Sequence, residues 1–442
     1  MIAITQYSYI FRTGLLWLVL ALVLVPLALL FSSWLSIDGA IWQHLVDTQL
    51  VRLVGNTLWL LSGVALLVLI LGVSLAWLTA VCEFPGRRFF DVALILPLAV
   101  PSYVLAFVFL GIFDITGPVQ SWIRQWAPGT FIEVRQPWTP VLVLSLVLYP
   151  YVYLVARAAF VQSGVRQIEI ARLHGVRPLK AFVSLILPAH RAVIAAAMAL
   201  AMLETLADFG AVSILGFDTF TTAIYKSWLS LFSLDTAAQL ASLLLMFALV
   251  VMIVERASRH RGDQQVATRD SIAQERIELQ GASKWIAQFY CSLVVALALL
   301  LPVSQLLIWV FDDPSTLFRL DLLQLSFRTF ALAFAAACLV LFFCLFLMRP
   351  PPRSLASWQE EWMSAGYALP GSVLAIGIMA MLAGWDAGVS WLTTLMDVSN
   401  SPVLLGSLVG LLLAYLIRFM RPAMSGVRTG LIAVHPHQEE TH

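Results

Sequence analysis

Charged residues are scarce in this sequence. Asp, Glu, Lys and Arg make up only 12% of its 442 residues, whereas about 25% is usual in soluble domains. Hydrophobic residues reach 61%, and the mean hydropathy is +0.90. These proportions exclude an ordinary soluble globular protein. The 26 basic and 25 acidic residues give a net charge of +1, so no basic field attracts nucleic acid and no nucleic-acid partner is expected.

Cysteine is also rare, and the common catalytic motifs are missing. The four cysteines lie in or beside apolar stretches without C-x-x-C spacing or a matching histidine cluster, so we interpret them as packing residues. None of the three lysines follows a glycine, which excludes the phosphate-binding motif G-x-x-x-x-G-K-[ST]. H-E-x-x-H, G-x-S-x-G and G-x-G-x-x-G are absent as well. The sequence therefore predicts neither an enzyme nor a bound cofactor.

Long apolar runs are the dominant feature that is present. Each is long enough to cross a hydrocarbon core of about 30 Å. Ten spans are expected, near residues 15–35, 54–81, 89–113, 140–160, 190–215, 236–254, 285–311, 325–348, 366–385 and 402–420. The first run exceeds the apolar core of a signal peptide and lacks an A-x-A-like site after it, so it is expected to remain as an anchor. The predicted fold class is an all-α, polytopic membrane protein.

Lysine and arginine are distributed unequally between alternate connections. Twenty of them fall in one set of connections and termini and five in the other, with Arg328 at the edge of a span. The positive-inside rule assigns the richer set to the cytoplasm. Both termini are therefore predicted to be cytoplasmic.

A polar stretch from Glu255 to Lys284 divides the chain into two comparable parts. "AVPSYVLA" begins at Ala99 and "ALPGSVLA" at Ala368, and "SGVR" recurs at Ser163 and Ser425. The two matches occur in the same order, which favours a duplicated unit of parallel orientation. The expected organisation is a first unit at 1–256, a cytoplasmic linker at 257–284 and a second unit at 285–442.

The longest cytoplasmic connection in the first part, residues 157–190, contains a specific pattern. "RQIEIARLHG" is typical of a short amphipathic helix, and Gly175 supplies a turn that a residue with a Cβ resists. Two short helices at an angle are expected. A solvated basic loop would explain the charges of this connection but not the pattern.

The pattern resembles a known loop. Glu169, Ala171 and Gly175, followed after nine residues by "LILP" from Leu185, are similar to the E-A-A-x-x-x-G-x9-I-x-L-P loop of permease subunits in binding-protein-dependent ABC importers. Ile170 and Leu185 depart mildly from that motif. In the family, this loop forms a coupling helix that docks on the ATP-binding subunit, which implies the same role for Glu169, Ala171 and Gly175.

A second segment, "METLADFGAVSILGFDTFTTAIYKSW", resembles the fused two-copy permeases of ferric-iron importers, and the resemblance covers nearly the whole chain. It implies a type-I ABC importer permease fold in the bacterial inner membrane, built from a duplicated six-helix unit. It also implies three partners: a dimer of ATP-binding subunits that hydrolyse ATP, a periplasmic binding protein and the membrane. Glu439 and Glu440 fall where the family carries a second loop, so the second copy is expected to be incomplete.

Glu204 and Asp208 are the candidate pathway residues. They are four residues apart on the fifth expected span, so they are predicted to share a helix face, with Glu204 about 21 Å from His190 at the cytoplasmic end. Carboxylates at such depth usually face a bundle interior or a water-filled cavity. Two interpretations stay open: a translocation pathway for a hard cation, and a structural hydrogen-bond network. No metal-ligand set is assigned.

Two other functions are compatible with the sequence. One is an ABC permease for thiamine, phosphonate or another small solute. The other is a secondary transporter driven by an ion gradient, whose repeats give a similar hydropathy profile but which needs no coupling helix.

Overall fold

The computed structural model describes residues 2–37, 39–259, 276–314, 320–348, 369–395 and 404–433. Most of the expected linker and the predicted second-loop position at Glu439 and Glu440 lie outside these residues. The α-helices are α1 Ile2–Ser32, α2 Gly39–Leu45, α3 Val51–Val81, α4 Arg87–Ala93, α5 Ser102–Phe113, α6 Pro118–Trp126, α7 Trp138–Leu173, α8 Pro178–Ala181, α9 Leu187–Ala189, α10 Arg191–Ala207, α11 Gly210–Ile214, α12 Phe220–Leu229, α13 Leu234–Arg259, α14 Ala282–Val295, α15 Leu301–Asp312, α16 Leu320–Met348, α17 Gly371–Leu395 and α18 Leu408–Ala433.

Short elements connect or interrupt these helices. Ser33–Leu35 and Leu96–Ala99 are 3-10 helices, and Val46–Leu50, Phe182–Ile186 and Ala296–Leu300 are π-helical turns. Two strands, β1 Cys82–Glu83 and β2 Ile277–Glu278, pair in parallel.

The all-helical membrane class is confirmed in the described residues. Nine helical segments are long and apolar enough to cross a membrane, and the pair Phe182–Ala189 and Arg191–Ala207, bent by 69°, makes a tenth if it is one span. The nine are Gly14–Leu35, Ile41–Val81, Ser102–Trp126, Trp138–Val161, Leu234–Ser258, Ala282–Asp312, Asp321–Leu347, Gly371–Trp391 and Leu408–Arg428. Each corresponds to an apolar run of the sequence, because lipid requires apolar side chains over that length.

Two spans are broken where the sequence predicts continuous helices. In the third, α4 ends at Ala93, and α5 begins only after Pro101, whose ring disfavours a helical conformation at Val100. In the fifth, α10 ends at Ala207 because Asp208 is extended, with φ −69° and ψ 123°. The predicted helix face shared by Glu204 and Asp208 is therefore wrong.

The chain forms two compact units. One consists of Met1–His44, Ile224–Leu245 and Ser315–His442, and the other of Leu45–Ala223 and Met246–Pro314. Each unit thus draws helices from both sides of the polar stretch.

In the larger unit, α3 packs along α7 at very short range. A Cβ on Gly63 would lie 2.8 Å from Val141 Cγ1, and one on Gly72 would lie 2.7 Å from Val152 Cβ. Small residues allow this approach, which in lipid is driven by van der Waals packing rather than by the hydrophobic effect. The pair α3 and α7 forms the core of this unit.

The smaller unit has its own apolar cluster. Val19 and Leu20 of α1 are buried with Leu347 of α16 and Met420 of α18. Polar side chains also link its helices: Trp34 Nε1 donates to Ser242 Oγ at 2.9 Å. These contacts join the first helix of the chain to the later ones.

Three of the four cysteines agree with the packing interpretation. Cys82, Cys291 and Cys344 are buried and free, whereas Cys338 on α16 is exposed in the isolated chain. Burial raises the pKa of the Cys82 thiol to about 12, which keeps it protonated and unreactive at neutral pH.

Candidate functional site

The predicted coupling loop begins on α7, the longest helix in the described part of the chain. By sequence, the apolar run in α7 ends at Val161 and a polar segment begins at Gln162, but α7 continues to Leu173. The 12 additional residues carry the helix about 18 Å beyond the apolar segment. The expected pair of separate short helices is therefore wrong in its first member, because that segment extends the preceding span without a break.

A tight turn ends α7. The N–H groups of His174 and Val176 both donate to Ala171 O, at 3.1 and 2.9 Å. Gly175 has φ +73°, in the left-handed region where a Cβ is penalised. No atom lies within 4 Å of the position that a Cβ would take. Glycine is therefore favoured by the backbone conformation, not by a lack of space.

The chain then turns into α8, which begins at Pro178. Proline suits a first helical position because a backbone N–H there would have no intrahelical acceptor, and proline lacks this group. Ala171 is buried, with 4% of its surface exposed. Glu169 lies two residues earlier in α7, and its side chain is outside the described part of the structure. The structure thus places Ala171 and Gly175 in one hydrogen-bonded turn at the tip of a projecting helix.

The Asp208 carboxylate lies between two helix ends. Its Oδ1 accepts hydrogen bonds from the backbone N–H groups of Ala211 and Val212, at 3.0 and 3.2 Å. Its Oδ2 accepts a hydrogen bond from Ser102 Oγ. Asp208 therefore caps α11 and binds the first residue of α5. The breaks in the third and fifth spans meet at this carboxylate.

Hydroxyl groups extend the network around Asp208. Thr221 Oγ1 donates to the backbone oxygen of Asp208 at 2.9 Å, and it lies 2.8 Å from Thr219 Oγ1. The neighbouring Asp218 forms an ion pair with Arg52 at 3.0 Å. These contacts tie the start of α12 and the start of α3 to the same junction.

Glu204 lies one turn before the end of α10, partly buried, and is not on a helix with Asp208. Among the described residues, no group of three or more His, Cys, Asp or Glu side chains is placed to hold a metal ion. A cavity of about 300 Å³ opens beside the loop after α5, and neither Glu204 nor Asp208 lines it. The contacts of Asp208 match those of a helix cap.

Sequence reasoning missed a charged cluster that begins at the end of α3. Arg87 is 6% exposed and lies between two carboxylates, with Nη1 2.8 Å from Asp91 Oδ2 and Nε 3.0 Å from Glu83 Oε2. Arg157 on α7 reaches the same Asp91 oxygen at 3.1 Å. The spacing of Glu83, Arg87 and Asp91 at four-residue intervals could have indicated these ion pairs from the sequence.

The same cluster holds the segment that leads into α14. Leu279 N donates to Glu83 O at 3.1 Å beside the β1–β2 pair. Arg276 Nε donates to Ala80 O at 3.3 Å, and its Nη1 lies 3.8 Å from Glu83 Oε2. The last part of the polar stretch, just before α14, is thereby held against the end of α3.

Comparison with known proteins gives consistent similarities. Residues 68–261 match the family model "Binding-protein-dependent transport system inner membrane component". The "Fe(3+)-transport system permease protein FbpB 2" of Haemophilus influenzae is 26% identical over 383 residues, which are 82% of this chain and 71% of the relative.

Two further relatives are not named for iron transport. The "Sulfate transport system permease protein CysT" of Synechococcus elongatus is 26% identical over 272 residues, 59% of this chain and 96% of the relative. The "Probable ABC transporter permease protein y4fN" of Sinorhizobium fredii is 24% identical over 446 residues, 93% of this chain and 77% of the relative.

Proposed function

We propose that the chain forms the substrate path of an ATP-driven importer, because residues 68–261 match the family model of binding-protein-dependent transport system inner membrane components. It is a multi-pass permease component, and ATP hydrolysis belongs to a separate subunit. The periplasmic binding protein delivers the substrate, and the chain lies in the bacterial inner membrane with both termini in the cytoplasm. The distribution of lysine and arginine supports this orientation.

The observation that carries the proposal is the projecting end of α7. A helix that continues about 18 Å past its apolar segment and ends in a glycine turn presents a rigid tip outside the membrane. We assign Glu169, Ala171 and Gly175 to the contact with the ATP-binding subunits. A secondary transporter needs no such element.

The two parts of the chain are proposed to be duplicated permease units, at 1–256 and 285–442. Helix starts support the repeat: α5 begins directly after Pro101 and α17 directly after Pro370, the prolines of the two similar segments. The two copies of "SGVR" lie near the ends of α7 and α18.

Ferric iron is the proposed substrate. The support is the relative named for Fe(3+) transport, whose alignment spans 82% of this chain. Sulfate is the second candidate, because several relatives are named for sulfate transport, although the longest of these alignments spans 59% of the chain. Ferric iron is a cation and sulfate is an anion, so an uptake experiment can distinguish the two substrates.

The test is uptake by reconstituted protein. The chain is purified together with the ATP-binding and periplasmic binding proteins that assemble with it in the same organism, and the complex is placed in liposomes. ATP-dependent accumulation of radioactive ferric iron, and none of sulfate, is the expected result. If only sulfate accumulates, then sulfate and not ferric iron is the substrate. Accumulation driven by an ion gradient without ATP would contradict the importer itself.

A further inference from the structure

Helix α6 buries a glutamine and exposes two tryptophans, which lie on the same exposed side as Gln125. Gln120 is 1% exposed, and it is held by Thr130 O at 3.4 Å and by the N–H of Ile132 at 3.3 Å. Trp122 and Trp126 are 61% and 76% exposed and lie side by side, with ring centroids 6.3 Å apart. In water, such a helix would bury its tryptophans and expose Gln120.

The position of α6 relative to the neighbouring span is fixed. Gly117 lies in the turn after α5, where a Cβ would come within 2.3 Å of Ile112 O. Arg124 on α6 donates to Ile115 O. The helix is therefore fastened back onto the end of α5 and is not a loose arm.

Two other tryptophans mark the same end of the larger unit. Trp59 Nε1 donates to Pro137 O at 3.0 Å, so Trp59 of α3 is level with the start of α7 at Trp138. Both indole rings are about half exposed. Tryptophan concentrates at membrane–water boundaries because its ring is apolar and its N–H is polar.

The opposite boundary follows from helix lengths. Along α7, Trp138 and Arg157 are separated by about 28 Å, and along α3, Trp59 is about 33 Å from Val81, just before the ion-pair cluster. Both lengths match a hydrocarbon core of about 30 Å. The charged cluster therefore marks one membrane boundary and the tryptophans mark the other, which the charge distribution assigns to the periplasmic side.

We propose that the third span ends with α5 at Phe113, as the expected span 89–113 does, and that α6, the last part of the apolar segment Ser102–Trp126, is an interfacial helix. It lies on the outer leaflet, with Trp122 and Trp126 inserted among the lipid headgroups and upper acyl chains. The partner of this face is membrane lipid. Its buried Gln120 faces the protein because that side must hold the loop backbone, and its tryptophans face the bilayer, as in other amphipathic surface helices. The assignment does not depend on the transported substrate.

Depth-dependent fluorescence quenching tests the proposal. In a Cys338→Ser background, Trp122→Cys and, separately, Trp126→Cys are labelled with bimane in the full chain and placed in phosphatidylcholine–phosphatidylglycerol nanodiscs. Leu66→Cys, exposed in the middle of α3, is the lipid-facing control, and Gln280→Cys, exposed before α14, is the aqueous control. Nitroxide attached near the headgroup is expected to quench positions 122 and 126 several-fold more than position 280.

The proposal would be overturned if aqueous iodide, and not the lipid-attached nitroxide, quenched both α6 positions to the same extent as position 280. Protection from iodide that appears only when the periplasmic binding protein is added would also overturn it, because the face would then belong to a protein partner. A second measurement avoids labelling altogether: brominated lipids should quench the intrinsic fluorescence of the unmodified chain more than that of the Trp122→Phe, Trp126→Phe double variant. An equal fractional loss in the two proteins would contradict the proposal.

Discussion

Ser102 donates a hydrogen bond to Asp208, and each residue stands at a break in a different membrane segment. The carboxylate also caps α11 through two backbone N–H groups. One side chain thus satisfies donors from two interrupted helices, where unpaired groups would be costly in an apolar environment.

This geometry predicts different results for two replacements of Asp208. Asp208→Asn keeps an oxygen that can cap α11, so we expect normal protein level and normal uptake. Asp208→Ala removes the cap and should lower stability by about 0.5–2 kcal/mol. Thermal unfolding followed by size-exclusion chromatography measures stability, and uptake of the substrate measures function.

Glu204→Gln is the matched comparison for the pathway interpretation. If the Asn and Gln variants both fold normally but lose uptake, then the carboxylate charges serve transport and the capping interpretation of Asp208 fails. Ser102→Ala should reproduce part of the stability loss of Asp208→Ala, since it removes one of the three hydrogen bonds to the carboxylate.

The turn at Gly175 gives a second prediction. Gly175→Val forces a β-branched residue into a left-handed conformation at a cost of about 1–2 kcal/mol, and the turn is expected to rearrange. Recovery of the ATP-binding subunit with the purified permease should fall, while membrane insertion stays intact. Gly175→Asn is the control, because asparagine tolerates this conformation better. If the ATP-binding subunit is recovered equally with the Gly175→Val variant and with the unchanged protein, then the loop is only a solvated connection and not a coupling element.

Hydropathy predicted the spans because the bilayer imposes one requirement on every crossing helix. It did not predict the interruption at Asp208, since a single carboxylate that caps a helix leaves the mean hydropathy of its surroundings high. The "RQIEIARLHG" segment was correctly assigned as helical, but its continuity with α7 was missed, because charged residues end an apolar run without ending a helix.

The sequence also did not predict which helices form each of the two compact units. The polar stretch divides the sequence into two parts, and each compact unit contains helices from both of them. Hydropathy identifies which residues avoid water but not which helix faces meet. The close approach at Gly72 and the fastening by Arg276 depend on tertiary contacts that no local pattern reports.

The ion-pair cluster predicts a graded series of stability losses. Arg87 is almost fully buried, so Arg87→Met should cost up to about 3–5 kcal/mol, the range for removing one partner of a buried pair. Glu83 is 44% exposed, and Glu83→Gln should cost only about 0–1 kcal/mol. Arg157→Met should fall between them, because its partner Asp91 keeps the contact with Arg87. Chemical denaturation in detergent micelles ranks the three variants, and equal losses would contradict this order.

Two glycines of α3 offer a matched test of helix packing. At Gly72 a Cβ would lie 2.7 Å from Val152 Cβ and 3.0 Å from Tyr153 N, and neither the branched side chain nor the backbone of α7 can move aside cheaply. Gly72→Ala should therefore destabilise the protein by about 1–3 kcal/mol, as overpacking does. At Gly55 no atom lies within 4 Å of the added Cβ, so Gly55→Ala should gain stability, up to about 1 kcal/mol, from helix propensity alone. Thermal unfolding of the two variants separates the cases, and a shift of the same sign and size in both would show that α3 and α7 are not in close contact.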